Sequence, residues 1–184
     1  MEIKISTKQI INILYILSWI IFIGVCIEAG GIIFNAFFTL VINPVGAHYF
    51  WNNIDLSELY AYDSGYFLVE TLLMSIVAVM KAILFYLIVK ILHDKKLNMS
   101  MPFNKEMGRF IFNVSYLALG LGLFSLWGAK YAEWLVKQGV IIPDIQYIGF
   151  GGADVWLFMG ITFYVIAQIF KRGIEIQDEN ELTV

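Results

Sequence analysis

Residues 66–92 read YFLVETLLMSIVAVMKAILFYLIVKIL, an apolar run that contains only three charged side chains. About 20 helical residues are needed to cross the ~30 Å hydrocarbon layer of a membrane, and this run is long enough. Backbone polar groups in lipid must be satisfied within their own segment, so an apolar run of this length predicts a helix. The stretch therefore places the chain among the all-α integral membrane proteins.

Three more apolar runs, at about 10–29, 110–134 and 153–170, are long enough to be further spans. The composition agrees, since 60% of the residues are hydrophobic, 15% are charged and the mean hydropathy is +0.76. We predict one membrane domain over residues 1–184, in which four spans form a four-helix bundle. Residues 171–184 would be a tail outside the membrane.

Lysine and arginine are distributed unevenly along the chain, and their distribution predicts its orientation. The connection 32–65 has none of them, whereas the other ends of the spans carry Lys4, Lys8, Lys90, Lys95, Lys96, Lys105, Arg109, Lys171 and Arg172. Basic residues concentrate on the cytoplasmic side of membrane proteins. Both termini are therefore predicted to be cytoplasmic, and 32–65 is predicted to lie outside.

The outer segment between the first two spans is predicted to be partly structured. Residues 32–42 are apolar, and they either extend the first helix or lie along the outer surface. Residues 53–60 (NIDLSELY) resemble a short capped helical turn. The Asp-Ser-Gly sequence at 63–65 is expected to end this turn before the second span begins.

Each span carries one carboxylate near its predicted outer end, and these are Glu28, Glu70, Glu133 and Asp154. We expect Glu70 and Asp154 to lie in the first turns of their helices, where the helix dipole favours a negative charge. Glu133 lies at the opposite kind of helix end, and Lys130, three residues earlier, is spaced to pair with it.

Glu28 and Lys81 have no such local explanation. Glu28 is predicted to end the first span with no basic residue nearby in sequence, and Lys81 lies near the middle of the second span. Lys81 either extends toward an interface, forms a structural ion pair such as one with Glu28, or serves a ligand, ion or proton. A candidate intramembrane polar site thus comprises Glu28, Glu70, Lys81, Lys130, Glu133 and Asp154.

Small residues recur at helical spacing in the last two spans and predict close helix packing. They are Ala118, Gly122, Ser125 and Ala129 in the third span, and Ala153, Gly160 and Ala167 in the fourth. Such residues allow two helix backbones to approach each other in lipid. The partner is either another helix of the same chain or a second copy, as in a homo-oligomer.

No arrangement of residues indicates catalysis. The single cysteine and two histidines exclude a multi-cysteine metal or redox site, and His48 and His93 are predicted to lie on opposite sides of the membrane. No nucleophile has an evident base partner. We therefore expect a protein that is not an enzyme, with no metal, no cofactor and no direct binding of nucleic acid.

The tail combines an anchor with an acidic segment. Lys171 and Arg172 follow the last residue of the predicted fourth span, and their position fits the inner headgroup layer. The remainder of the tail is either a solvated helix end or a docking peptide for a basic partner. Its candidate docking residues are Lys171, Arg172, Glu175, Asp178, Glu179, Glu181, Leu182 and Val184.

Two segments resemble a known family. Residues 102–106 (PFNKE), with the apolar helix that follows, and residues 169–184 (IFKRGIEIQDENELTV) are similar to recurrent segments of the bacterial membrane family catalogued as domain of unknown function 2975. The resemblance implies a multi-pass protein of the bacterial cytoplasmic (inner) membrane with four spans and no established activity.

Members of that family are often encoded beside a small helix-turn-helix regulator. The resemblance therefore implies a non-enzymatic membrane protein that regulates or sequesters such a cytoplasmic partner. The alternative from the residues themselves is a small transporter, or an ion- or proton-binding bundle, that uses Glu28, Glu70 and Lys81.

Overall fold

The computed structural model describes residues 7–94 and 104–181, and these residues form helices joined by turns and loops, with no β-strand among them. Four of the helices are long and apolar enough to cross a membrane, as the sequence predicted. The helices are α1 (Thr7–Phe37), α2 (Ser57–Tyr62), α3 (Ser64–His93), α4 (Lys105–Lys137) and α5 (Ala153–Glu181).

Side-chain caps fix the starts of two long helices. The Asp63 carboxylate accepts a hydrogen bond from the backbone N–H of Tyr66 at 3.0 Å, and α3 begins at the next residue. The Asn104 side chain accepts one from the N–H of Met107 at 2.8 Å and caps α4. Such caps satisfy N–H groups that have no partner within the helix. The chain break predicted at 63–65 is thus the junction between α2 and α3.

The segment 38–62, which the sequence predicts to lie outside, consists of short helices and turns. α1 continues past Gly30 and Gly31 to Phe37 and leads into a π-helical turn, Phe38–Ile42, so residues 32–42 extend the first helix. The chain then returns, and the ring of Trp51 lies against Gly31, where a side chain would collide with it. The helical turn predicted at 53–60 is α2, which begins later, at Ser57.

The four long helices pack side by side in chain order. The Tyr15 hydroxyl is 2.8 Å from Nδ1 of His93 and joins α1 to α3, and the rings of Tyr66 and Trp134, 5.5 Å apart, join α3 to α4. α5 packs along α4, while α1 and α5 share no extensive contact among the described residues. The four long helices therefore form an open array, in which each long helix packs mainly against its neighbours in chain order.

The small residues of α4 and α5 form the most extensive helix contact. The four small residues predicted on α4 are all buried, as are Gly160 and Ala167 on α5. A Cβ added at Gly122 would lie 2.5 Å from Cγ of Leu157. The Ser115 hydroxyl also donates a hydrogen bond to the Gly160 carbonyl at 2.9 Å. The stripe on α4 therefore serves packing within the chain.

The best-buried side chains lie at the predicted outer end of the array. Phe150, just before α5, packs against Gly128 in the last third of α4, whose residues 129–137 continue for roughly 14 Å beyond that point. Segments 38–62 and 138–152 cover the projecting ends of α3 and α4. We call this region the outer core; its fully buried residues include Phe50, Leu56, Leu59, Phe67, Glu70, Leu135, Ile148 and Phe150.

The location of the outer core has a physical explanation. Lipid tails are as apolar as leucine, so helices in lipid can leave apolar side chains on the surface, as α1 does along most of its length. Where the chain leaves the lipid, water again favours the burial of apolar side chains. The segments outside the spans therefore build the most compact part of this protein.

Candidate functional site

Glu70 is the most unusual residue of the outer core. Its side chain is 0% exposed, and neither carboxyl oxygen has a hydrogen-bond partner among the described residues. Its neighbours on the same face of α3 are Phe67, Met74 and Val77, which are all buried. An ionisable group buried without a partner costs several kcal/mol and calls for a functional explanation.

The predicted explanation for Glu70 was wrong. We expected a capping position in the first turn of its helix, but α3 begins at Ser64 and its first turn holds no acidic residue. Asp63 occupies the cap instead. At Glu70, seven residues after Asp63, the backbone N–H groups are bonded within the helix, so the helix end offers Glu70 no donor.

Aromatic residues lie near Glu70 on its own helix and on α4. The carboxyl group lies within electrostatic range of the Tyr131 side chain on α4. One turn earlier on α3, Phe67 packs edge-on against the rings of Phe50 and Tyr60, with centroids 6.0 and 5.3 Å away. A carboxyl group in such surroundings can bind a proton or a cation. The described residues contain no cluster of three or more metal-binding side chains of His, Cys, Asp or Glu.

The side chain of Lys81 extends from α3 to the loop that precedes α5. Its Nζ donates a hydrogen bond to the carbonyl of Gly149 at 3.4 Å. Gly149 has a φ of +90°, a conformation that favours glycine and turns its carbonyl toward the helix array. The half-buried lysine thus contacts the segment 138–152 through a backbone carbonyl.

Glu28 lies within α1 and not at its end, because the helix continues for nine more residues to Phe37. The residue is half-buried, and it forms no ion pair or side-chain hydrogen bond with a described residue. The ion pair that we considered between Glu28 and Lys81 is not formed. The two residues do not constitute a joint site in this arrangement.

The other two outer carboxylates are at the surface. Glu133 pairs with Lys130 at 2.9 Å, three residues earlier, as the spacing predicted. Asp154 is exposed in the first turn of α5, where the dipole argument placed it. The four carboxylates therefore do not meet: two are exposed, one is half-buried in α1, and only Glu70 is enclosed.

The predicted tail is a continuation of α5. The helix runs through Lys171 and Arg172 to Glu181 without a break, and Arg172 pairs with Glu175 at 3.1 Å. Lys105, at the start of α4, pairs with Asp178 at 3.2 Å and ties the continuation to α4. Of the other predicted docking residues, Glu179 is exposed, while Leu182 and Val184 lie outside the described residues.

An ion pair on the outer surface was not found by sequence reasoning. Nδ1 of His48 lies 2.7 Å from Oδ2 of Asp55, and both side chains are about half exposed. Hydrogen bonds from the hydroxyl and N–H of Ser57 are the main cause that lowers the pKa of Asp55, and His48 adds to the effect. The two residues lie in irregular backbone, where no periodic spacing could indicate their contact.

Comparison with known proteins identifies the family of the chain. Residues 51–184 match the family described as "Protein of unknown function (DUF2975)", the family that the sequence resembles. No curated protein and no solved structure matches the chain. The matched region contains α2 to α5, the Glu70 site and the continuation of α5. Since it covers more than half of the chain, the protein belongs to the DUF2975 family.

Proposed function

We propose that this protein is a non-enzymatic membrane protein that holds or regulates a cytoplasmic partner through the continuation of α5. The observation that carries the proposal is that residues 171–181 extend as a rigid helix for roughly 15 Å past the last apolar residue of the span. The distribution of lysine and arginine predicts that this end is cytoplasmic. A helix there presents its side chains at fixed spacing to a soluble partner.

The surface of this continuation supports docking. Ile176 is 46% exposed in a segment that follows the basic pair and so lies beyond the lipid by its sequence. Glu179, three residues later, lies on the same side of the helix and is also exposed. An apolar side chain with acidic neighbours suits a partner that combines an apolar contact with basic residues. A small helix-turn-helix regulator, which carries basic residues for DNA, fits that description.

Co-purification with a small helix-turn-helix regulator of the kind often encoded beside members of the family tests the proposal. Ile176→Asp and deletion of residues 173–184 should both abolish the association. Ile141→Asp is the matched control, because Ile141 is also exposed but lies in the segment 138–152, at the predicted outer end of the helices. If the regulator does not bind, or if it binds all these variants equally, the proposal is refuted.

Burial of Glu70 favours a second candidate function, the binding of a proton or a monovalent cation in the outer core. Neither oxygen has a partner among the described residues, and a bound cation would compensate the charge. This candidate is narrower than the transporter alternative. Transport by Glu28, Glu70 and Lys81 together would need the three side chains close enough to pass an ion from one to the next. Glu70 and Lys81 lie eleven residues apart on α3, roughly 16 Å along its axis, and are not neighbours.

Two measurements test this second candidate. Thermal unfolding in sodium, potassium and choline chloride should show stabilisation by one of the metal ions in the wild type and none in Glu70→Gln, whereas Glu133→Gln should behave like the wild type. Flux of protons or sodium into liposomes distinguishes binding from transport. An identical salt response in wild type and Glu70→Gln, with no flux in either, would exclude the candidate.

A further inference from the structure

A cleft separates α3 from the pair α4 and α5 at the predicted cytoplasmic side. Its deeper part is a cavity of about 240 Å³ between the three helices, lined by apolar side chains that include Leu84 of α3, Val114 of α4 and Phe163 of α5. Its mouth is a second space of about 210 Å³ between the end of α3 and the start of α4. Phe110 lines both spaces, so the mouth and the cavity adjoin each other.

The mouth of the cleft contains two cations and two carboxylates. Lys90 of α3 and Arg109 of α4 line it, and neither forms an ion pair with a described residue. Lys90 lies only over the ring of Tyr86, with Nζ 6.0 Å from the ring centre. Asp94 and Glu106 also line the mouth, but each already interacts with another group. Lys90 and Arg109 are therefore the two side chains of the mouth that can bind a phosphate.

The dimensions of the cleft fit one leaflet of a membrane. Its lining on α4 extends from Glu106 in the mouth to Ala118 in the cavity, which is roughly 18 Å along the helix. Half of a ~30 Å hydrocarbon layer, with the adjoining headgroup, has a similar depth. The cleft thus changes from charged to apolar at about the depth where a phospholipid does.

We propose that this cleft is a binding site for one anionic phospholipid of the cytoplasmic leaflet. The phosphate lies between Lys90 and Arg109, and one acyl chain occupies the apolar cavity against Phe110 and Val114. Arginine binds phosphate oxygens in a bidentate manner, and lysine adds a point charge. Anionic lipids are characteristic of the cytoplasmic leaflet, where the positive-inside rule places this end. The site is separate from the docking surface around Ile176.

The lipid also has a structural role in this proposal. The ring pair of Tyr66 and Trp134 joins α3 to α4 toward the predicted outer end, and Met80 of α3 lies against Gly120 of α4. An acyl chain in the cavity would fill space that the side chains of the three helices leave empty and would add packing contacts there. Occupation of the site should therefore stabilise the folded protein by mass action.

Native mass spectrometry and thermal unfolding in a neutral detergent test the proposal. Phosphatidylglycerol and phosphatidylcholine with the same acyl chains are compared, with glycerol 3-phosphate as the headgroup alone. We expect phosphatidylglycerol to give a one-lipid complex and raise the melting temperature more than phosphatidylcholine does. Each lost charge-assisted hydrogen bond should weaken binding about tenfold, so Lys90→Gln/Arg109→Gln should lose most of the complex.

Two further variants keep the test decisive. Lys130→Gln/Lys137→Gln removes the same charge at the outer end of α4 and should bind like the wild type. Val114→Phe fills the cavity while leaving both cations in place, and it should also lose the lipid. Equal binding of both lipids, retention of the complex in the Lys90/Arg109 variant, or equal stabilisation by glycerol 3-phosphate would overturn the proposal.

Discussion

Replacement of Glu70 by methionine should stabilise the protein. The two side chains are similar in length, and the thioether needs no hydrogen-bond partner, whereas neither oxygen of Glu70 has one among the described residues. A buried polar group without a partner costs about 1–3 kcal/mol, and Glu70→Met removes that cost while keeping the volume. The free energy of unfolding should therefore rise by about this amount.

This gain is large enough to measure. For a chain of this size, 1 kcal/mol shifts the melting temperature by about 2–4 °C, so Glu70→Met should melt roughly 2–12 °C higher. Circular dichroism in detergent, without added metal salts, follows the loss of helix. Glu70→Gln should gain less, because its amide remains a buried polar group. Glu133→Met is the control and should show no measurable shift, since Glu133 is at the surface.

The opposite result would refute the reasoning. If Glu70→Met melts more than about 2 °C below the wild type, the Glu70 carboxyl has a stabilising partner in the folded protein. The same variant should lose any response to sodium or potassium that the wild type shows. Stabilisation combined with loss of the ion response is the pattern expected when a residue is kept for function at the expense of stability.

Three other substitutions test the packing, the outer surface and a helix end. Gly122→Val should lower the melting temperature, with about 1–3 kcal/mol lost to collision with the backbone of α5, whereas Gly24→Val, where nothing lies within 4 Å, should not. Folding lowers the pKa of Asp55, so the contribution of this carboxylate to stability is present above its unfolded pKa of about 3.9 and is lost as the pH falls through its folded pKa. Ser57→Ala removes the hydrogen bond from the Ser57 hydroxyl and should therefore reduce stability near neutral pH and have no effect in acid. Thermal unfolding measured across pH tests this. Asn104→Ala removes the cap of α4 and should cost about 0.5–2 kcal/mol, with faster amide hydrogen exchange in the first turn of that helix.

Hydropathy predicted the helices better than it predicted their ends. The apolar runs at 66–92 and 153–170 became α3 (Ser64–His93) and α5 (Ala153–Glu181), so the starts agree closely and the second end does not. An apolar run indicates which residues can lie in lipid. A helix, by contrast, continues until a cap, a glycine or the loss of a packing contact ends it. In α5 the ion pair between Lys105 and Asp178 supports helix beyond the apolar run.

The candidate site was predicted in part. The pair of Lys130 with Glu133 depends only on local helical spacing, and the structure contains it. The carbonyl that Lys81 reaches belongs to Gly149, 68 residues away, and no local pattern could identify it. The isolation of Glu70 depends on which elements cover it, and it became evident only when the outer core was assembled.

The sequence by itself determined that this chain has four helices long and apolar enough to span a membrane, because the length and polarity of a segment decide whether it can lie in lipid. The tertiary structure decided the open array, the outer core over Glu70 and the cleft beside Arg109. Each of these depends on contacts between segments far apart in sequence. In lipid such contacts are chosen by side-chain shape and not by hydrophobicity, because lipid satisfies an apolar surface as well as a neighbouring helix does.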